Sequence, residues 1–353
     1  MFSNKIYCEL FYQNSNHLQQ IYDGFEKLAI SGIIKLKVNY SNKSDSPILK
    51  VRINNKFDVY YDLLDGFNWI DDTIDNNLNY FKNNLNSDFY FKRSFNNKLL
   101  EYNLKNRKIY PLGFNYYINP KGVFINKHYN NSFKSKLKQV VKQQFHSFQK
   151  NNRSKITSNY FENNPIFNKD NRILFSTRLW NPDETNQKHN KELREKINNQ
   201  RIEYILACKK EFGKSFTGGL FDDEYTNKKA KSLILPTKVS NKKNYLDILK
   251  KHNICIATTG LHKSIGWKMG EYIAASRAIV SETLNYDVPG NFVNKKNYLE
   301  FDNSDNLLEK LEYLLSKPRE TEQIMTNNYN YYKNYLHPEQ LILNTLKIIT
   351  QKG

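Results

Sequence analysis

Long apolar runs, clustered cysteines and P-loop motifs are all missing from this sequence of 353 residues. No stretch reaches the roughly 18 consecutive apolar residues that a membrane-spanning helix needs. Cys8, Cys208 and Cys255 lie far apart in apolar segments, so we expect buried, reduced thiols. No Gly-x4-Gly-Lys-Ser/Thr motif occurs, which argues against ATP hydrolysis. The first residues lack the apolar core of a secretory signal and enter a strand directly, which predicts a cytoplasmic protein.

Acidic residues are also missing from one long segment of a chain whose formal net charge is +19. Between Tyr102 and Phe161 there is no Asp or Glu, while twelve Lys and Arg residues occur. Within residues 127–155, apolar side chains recur at helical spacing with lysines on the other faces, which predicts an amphipathic basic helix. Such a helix can lie on an anionic membrane surface as a peripheral attachment, or it can pack onto the protein. We hold these two interpretations equal, and we do not favour nucleic acid as a partner because no nucleic-acid-binding motif is present.

The most informative segment runs from residue 255 to residue 282 and predicts a strand, a loop, an amphipathic helix and a second strand. Backbone amides near Ser264 and Gly266, together with the positive end of the following helix, favour an anion such as phosphate. Lys263 and Lys268 add positive charge there. Glu271 shares a helix face with Lys268, and a carboxylate beside a phosphate site typically accepts hydrogen bonds from sugar hydroxyls.

These residues, in this order, resemble the C-terminal nucleotide-sugar-binding domain of group-1 glycosyltransferases of the GT-B fold. The matching pieces are Arg178 after the strand at 173–177, the apolar strand and Gly-Leu loop at 254–261, and the helical segment Glu271-Tyr272-Ile273-Ala274-Ala275. The resemblance implies an α/β protein in which two Rossmann-like domains face each other across a cleft. It also implies a set of donor-binding residues, which are Arg178, Thr259, Gly260, Lys263, Ser264, Gly266, Lys268, Glu271 and Tyr272.

Within that set the resemblance implies that Glu271 binds the donor ribose and that Arg178 and Lys268 bind the diphosphate. In many retaining members of the family two glutamates are separated by seven residues, and the second of them binds the donor ribose, so the first would lie eight positions before Glu271. In this sequence that position falls on Lys263. The sequence therefore leaves open whether the anomeric configuration would be retained or inverted, and which sugar is transferred.

The domain organisation follows from length and from the order of predicted elements. We predict an N-terminal acceptor-binding domain at 1–150, a polar linker at 151–170 and a donor-binding domain at 171–335. The resemblance implies that a C-terminal helix at 336–353 crosses back to the first domain. In the first 125 residues strands alternate with helices, which predicts a parallel sheet with ligands at the carboxyl ends of its strands.

That rule gives candidates for the acceptor side of the cleft. His17 lies in the first strand-to-helix loop and is a candidate general base, and Asp62 and Asp65 are candidate catalytic carboxylates. An ordinary Asp65-Gly66 turn is an equal alternative for the last of these. Candidate acceptor-binding residues are Lys92, Arg93, Asn115 and Tyr116, of which Lys92 and Arg93 suit an anionic acceptor.

We expect neither a cofactor nor a metal ion, because no Asp-x-Asp motif occurs where a metal-dependent transferase would need it and protein charge can stabilise a departing diphosphate. The acidic run Asp222-Asp223-Glu224 is predicted to be a solvated loop, with a metal site as the less favoured interpretation. The sequence thus predicts metal-independent sugar transfer from a nucleotide-diphosphate sugar to a glycan, polysaccharide or lipid-linked acceptor. Alternatives are a nucleotide-sugar epimerase of the same fold and a non-catalytic basic protein that binds nucleic acid or acidic glycan.

Overall fold

Two β-sheets, one in each half of the chain, organise the fold. The computed structural model describes residues 5–40, 45–70, 72–103, 107–125, 156–236 and 242–353. The predicted basic helix within 127–155 lies outside these ranges. No helix within them is both long enough and apolar enough to cross a lipid bilayer.

The first sheet contains six strands in the order β2-β1-β3-β4-β5-β6. Their bounds are Ile6–Phe11, Ile34–Asn39, Ile48–Ile53, Phe57–Asp62, Phe89–Lys92 and Lys108–Pro111 for β1 to β6. The prediction of a parallel sheet is wrong for β3, which runs antiparallel to both β1 and β4. The cause is a tight turn in which Asn54 and Asn55 adopt left-handed φ angles of 52° and 55°. Asn tolerates this conformation, so the chain turns back after β3 and β4 pairs with it directly as a hairpin, without a crossover helix.

The second sheet contains five strands in the order β11-β10-β9-β7-β8, and all of its pairings are parallel. The bounds are Ile173–Thr177, Phe216–Leu220, Ile254–Ala257, Ala278–Glu282 and Leu299–Phe301 for β7 to β11. Every residue of β7 and β9 is buried, as expected for parallel strands covered by helices on both faces.

Ten α-helices in the described residues cover the two sheets. In chain order, α1 to α10 span Gln19–Ile30, Ile74–Asn84, Lys98–Glu101, Lys188–Phe212, Glu224–Ala230, Lys242–Lys251, Trp267–Ala274, Ser304–Ser316, Pro318–Tyr331 and Pro338–Lys352. The apolar side of α10 packs into the core of the first domain, where Leu341, Ile342 and Leu346 are buried against α1 and the sheet. The α1–α10 contact is close because Gly24 has no side chain in the way of Pro338.

In the described residues the chain passes between the two domains after β6 and again near its end. After β6, Phe114 and Tyr116 are buried in the core of the second domain together with Tyr272. Near the end, a π-helical turn at Tyr332–Leu336 joins α9 on the second domain to α10 on the first. The predicted bounds at 150, 170 and 335 fall partly outside the described residues and stay predictions. The predicted fold class is confirmed, since two Rossmann-like α/β domains face each other.

Candidate active site in the cleft between the domains

A cleft of about 570 Å³ lies between the domains, at the carboxyl ends of β7 and β9. This is where open parallel sheets bind their ligands. The first domain contributes His17, Asp65 and Arg93 to its wall. Six of the nine predicted donor-binding residues line the opposite wall, namely Arg178, Gly260, Ser264, Gly266, Lys268 and Glu271.

The loop between β9 and α7 brings backbone amides to the cleft. It is folded on itself by hydrogen bonds from the Gly260 amide to the Ser264 carbonyl (2.8 Å) and from the Ser264 amide to the Leu261 carbonyl (3.0 Å). Gly266 is the extended residue before α7, and no side chain in the described part of the chain caps that helix end. The first amides of α7 and its positive dipole end are therefore available to an anion in the cleft.

Glu271 is the buried carboxylate of this wall, with 2% of its surface exposed. Its Oε1 is paired with the Nζ of Lys242, the first residue of α6, and its Oε2 lies 3.3 Å from the Nζ of Lys268. Burial alone would raise the pKa of Glu271, but the charges of Lys242 and Lys268 outweigh it and lower the pKa to about 2. The carboxylate is therefore ionised at any physiological pH.

The ammonium of Lys268 packs against two aromatic rings. Its Nζ lies 3.4 Å from the ring centroid of Tyr245 and 5.2 Å from that of Phe221, which are cation–π contacts. Burial lowers the pKa of Lys268 to about 8, against the opposing effect of Glu271. Lys268 thus retains most of its charge at neutral pH and faces the cleft beside the first turn of α7.

Arg178 and Arg201 shape the floor of the cleft. Arg178 follows β7, and its guanidinium stacks on Trp180 with 3.7 Å between Cζ and the ring centroid. Arg201, on α4, is buried and donates hydrogen bonds to the carbonyls of Arg178 (2.7 Å) and Thr259 (3.1 Å). Arg201 therefore ties the ends of β7 and β9 together and fixes where Arg178 lies.

Three predicted donor-binding residues do not line the cleft. Thr259 gives its amide (2.6 Å) and its hydroxyl (2.7 Å) to the carboxylate of Glu282. Lys263 is exposed on the outside of the loop, where it has a left-handed φ of 56°. Tyr272 is fully buried in the core of the second domain, because it lies on the face of α7 that packs against the protein.

On the first-domain wall, Asp65 and Arg93 form an ion pair. Arg93 also donates a hydrogen bond to Asn115 Oδ1 at 2.7 Å, so Asn115 holds Arg93 and is itself buried. His17 packs edge-on against Trp267 of the second domain, with 5.0 Å between ring centroids. Burial and the charge of Arg93 lower the pKa of His17 to about 4, so its imidazole is neutral at physiological pH.

Asp62 and Lys92 lie in the interior of the first domain and not at the cleft. Both are fully buried, and their Oδ1–Nζ distance is 3.1 Å. Asp62 also accepts hydrogen bonds from Tyr90 and from the indole of Trp69, and Lys92 donates to the Leu64 carbonyl. With their hydrogen-bonding capacity used internally, neither has the geometry of the predicted catalytic or acceptor-binding role.

Tyr116 also differs from its predicted position. It is 1% exposed, and its hydroxyl contacts that of Tyr332 at 3.2 Å inside the second-domain core. Strand β6 ends before this residue, and the chain then crosses to the second domain and carries Tyr116 away from the first-domain loops. Of the four predicted acceptor-binding residues, Arg93 alone lines the cleft.

Several cleft residues were missed by the sequence reasoning. They are Trp180, Arg201, Lys242, Tyr245 and Trp267. Trp267 carried a usable signal, since it directly follows Gly266 at the predicted helix start. Lys242 carried none, because it is 29 residues before Glu271 and only the packing of α6 against α7 brings the two together.

The acidic run at 222–224 acts as a helix start. Asp223 Oδ1 accepts a hydrogen bond from the Thr226 amide at 2.7 Å, which caps α5. Among the described residues, no three His, Cys, Asp or Glu side chains come together in a way that could hold a metal ion.

No family model matches the sequence, and no curated protein matches it. Similar solved structures include the C-terminal domain of the glycosyl transferase group 1 family protein LpcC from Francisella tularensis (13% identity; 51% of this chain and 97% of that one; TM-score 0.36). HepE from Anabaena, in complex with UDP and glucose, covers 96% of this chain and 98% of its own at 11% identity (TM-score 0.37).

A variant of TarM from S. aureus, in complex with fondaparinux, alpha-GlcNAc-glycerol and UDP, is 14% identical. It covers 87% of this chain and 65% of its own, with a TM-score of 0.35. At such identities and TM-scores the matches carry no argument of their own. The two sheets described above define the fold, and the residues that line the cleft indicate the function.

Proposed function

We propose that this protein is a glycosyltransferase that moves a sugar from a nucleotide-diphosphate sugar to an acceptor held on the opposite side of the cleft. The observation that carries the proposal is Glu271, an ionised carboxylate buried in the cleft wall one helical turn from the open end of α7. A carboxylate there suits ribose hydroxyls, and the helix end beside it suits phosphate. Together they match the two polar parts of a nucleotide diphosphate.

The positive groups of the donor side suit the chemistry of transfer. When the bond between sugar and diphosphate breaks, negative charge grows on the departing phosphate. Arg178, Lys268 and the first amides of α7 line the space in which that charge would develop. Protein charge can therefore stabilise the leaving group, and we propose a reaction that needs no metal ion.

The acceptor would bind against the first-domain wall, beside Asp65, Arg93 and His17. His17 is neutral and packs against Trp267, so it can take a proton from an acceptor hydroxyl, and the Asp65 carboxylate on the same wall is the second candidate base. We propose a glycan, polysaccharide or lipid-linked acceptor. Contact with an anionic membrane through 127–155 and a cytoplasmic site of action remain part of the proposal.

The first experiment measures thermal stability with UDP, GDP, CDP, TDP and ADP and their common sugars. A ligand far above its dissociation constant should raise the melting temperature by a few degrees. We expect a shift with one nucleotide, strongly reduced in Glu271→Gln because a neutral amide accepts hydrogen bonds more weakly than a carboxylate. The exposed Glu320→Gln on α9 is the matched control and should behave as the wild type.

A shift that survives in Glu271→Gln would contradict the assigned donor site. If no nucleotide stabilises the wild type, a non-catalytic binding protein becomes the better interpretation. Nucleotide release that depends on an added acceptor distinguishes a transferase from a binding protein and from an epimerase, because only a transferase needs an acceptor to release the nucleotide.

A further inference from the structure

The carboxylate of Glu271 is held by a residue from a different helix. The Nζ of Lys242 pairs with Oε1, whereas Oε2 is buried beside the Nζ of Lys268 at 3.3 Å and makes no well-aligned hydrogen bond within the described part of the chain. Lys242 reaches the carboxylate past two aromatic rings, with 5.0 Å from Nζ to the Phe161 centroid and 5.2 Å to that of Tyr245. The Lys242 ammonium is thus guided to Oε1, and Oε2 can accept a hydrogen bond from a ligand once Lys268 moves toward that ligand.

We propose that Lys242 is a positioning residue for ligand binding, which orients Glu271 through Oε1 so that Oε2 accepts a ribose hydroxyl of the bound nucleotide. The inference rests on the proposed function, since it assumes that a nucleotide occupies the cleft. Lys242 acts through Glu271 and need not touch the nucleotide itself.

Lys268 cannot replace Lys242 in this task. Lys268 lies in the first turn of α7, where its ammonium faces the place proposed for the diphosphate, and its Nζ is 3.3 Å from Oε2. A bound diphosphate would draw the Lys268 ammonium toward its own negative charge. Lys242 would then be the cation that remains on the Glu271 carboxylate and balances its burial.

The test compares nucleotides with and without the hydroxyl in question. The ribonucleoside diphosphate that binds best among UDP, GDP, CDP and ADP is titrated calorimetrically beside its 2′-deoxy and 3′-deoxy analogues. We expect Lys242→Gln to weaken binding of the ribonucleotide about 10-fold. Binding of the deoxy analogue that lacks the recognised hydroxyl should weaken far less, because that analogue cannot make the hydrogen bond to Glu271 even in the wild type. Lys242→Arg, which keeps the ion pair, should stay within about 3-fold of the wild type.

A pH series gives a second readout. The groups that face Glu271 are Lys242 and Tyr245 from α6 and Lys268 and Tyr272 from α7. In the wild type the pKa of Glu271 is about 2, so ribonucleotide affinity should not change through Glu271 between pH 7 and 5. In Lys242→Gln burial is opposed by Lys268 and the Tyr245 hydroxyl without the charge of Lys242, so the pKa of Glu271 rises and affinity falls as the pH is lowered over this range.

Lys251→Gln, at the exposed last position of the same helix, is the matched control and should leave all affinities unchanged. Equal losses for the ribonucleotide and both deoxy analogues in Lys242→Gln would overturn the inference and leave the donor site intact. So would unchanged affinity in that variant. If the wild type binds no nucleotide at all, the proposed function fails together with the inference.

Discussion

Single residues of similar charge have opposite uses in this protein, depending on which partners surround them. Glu271 and Asp62 are both buried carboxylates next to a lysine. Asp62 receives four hydrogen bonds from within the first domain, which satisfy both of its oxygens. Glu271 lines the cleft, and its Oε2 has the Lys268 ammonium at 3.3 Å but no well-aligned hydrogen bond from the described residues. The difference separates a structural carboxylate from one that can bind a ligand.

Asp62→Ala should therefore destabilise the first domain. It leaves Lys92 as an uncompensated charge in the interior, and breaking a buried pair in this way costs about 3–5 kcal/mol. Urea unfolding measures the loss. Asp170→Ala removes a carboxylate from a surface pair with Arg172 whose side chains are 73% and 48% exposed, and it should unfold like the wild type. Equal stability of the two variants would contradict the assigned role of Asp62.

Helices and strands were largely predictable from the sequence because periodicity reports which face is buried. The strand at 173–177 matches its predicted bounds. The direction of strand β3 was predicted wrongly, because the left-handed turn at Asn54 and Asn55 sets that direction and the hydrophobic pattern does not. The pattern gives the existence of an element, but the connection between elements sets its direction.

The packing of α1 on α10 gives a prediction at the scale of elements. A Cβ on Gly24 would lie 2.3 Å from the Pro338 carbonyl oxygen and 2.5 Å from Ile342 Cγ1. Gly24→Ala should therefore destabilise the protein by about 1–3 kcal/mol, although alanine normally favours a helix over glycine. Denaturant unfolding measures the sign, and hydrogen exchange at 338–352 should show faster opening. A gain in stability would mean that α10 does not pack as described.

At the scale of the whole molecule, the two domains touch through the loops that border the cleft. Gly66, after β4, has a left-handed φ of 59°, and a Cβ there would lie 2.6 Å from His262 Cβ in the donor-side loop. Tyr286, in the same domain as His262, donates a hydrogen bond to the His262 carbonyl at 2.8 Å, and its hydroxyl would lie 3.1 Å from a Cβ on Gly66. The glycine therefore allows the two walls of the cleft to approach each other.

Gly66→Ala should weaken nucleotide binding and any transfer activity as well as stability, because it pushes the walls apart and strains the backbone. Gly213→Ala is the matched control, since Gly213 also has a left-handed φ (47°) but no heavy atom lies within 4 Å of its added Cβ. We expect the control to lose about 1–2 kcal/mol of stability with unchanged nucleotide affinity. Calorimetric titration and urea unfolding of both variants separate the two effects, and equal nucleotide affinities would contradict the contact.

The site itself was predictable only where neighbouring residues in the sequence form it. The loop and helix at 258–271 were found because their glycines, lysines and Glu271 are local. His17, Asp65 and Arg93 were found because they follow strands, whereas Lys242 and Arg201 lie on helices and no local pattern shows that they reach the cleft. Asp62, Lys92 and Tyr116 were predicted at the ends of strands, but the sequence could not show that their side chains turn inward.

The position of α10 has a consequence for the order in which the protein can be completed. The first domain acquires its core from two distant parts of the chain, the first 125 residues and the helix at 338–352. During synthesis on the ribosome the early segment emerges long before its covering helix exists. The first domain must then wait for α10, with apolar residues of α1 uncovered, whereas every strand of the second domain precedes α10 in the chain. We therefore expect the donor-side half to be the earlier one to reach a protease-resistant state as the nascent chain lengthens.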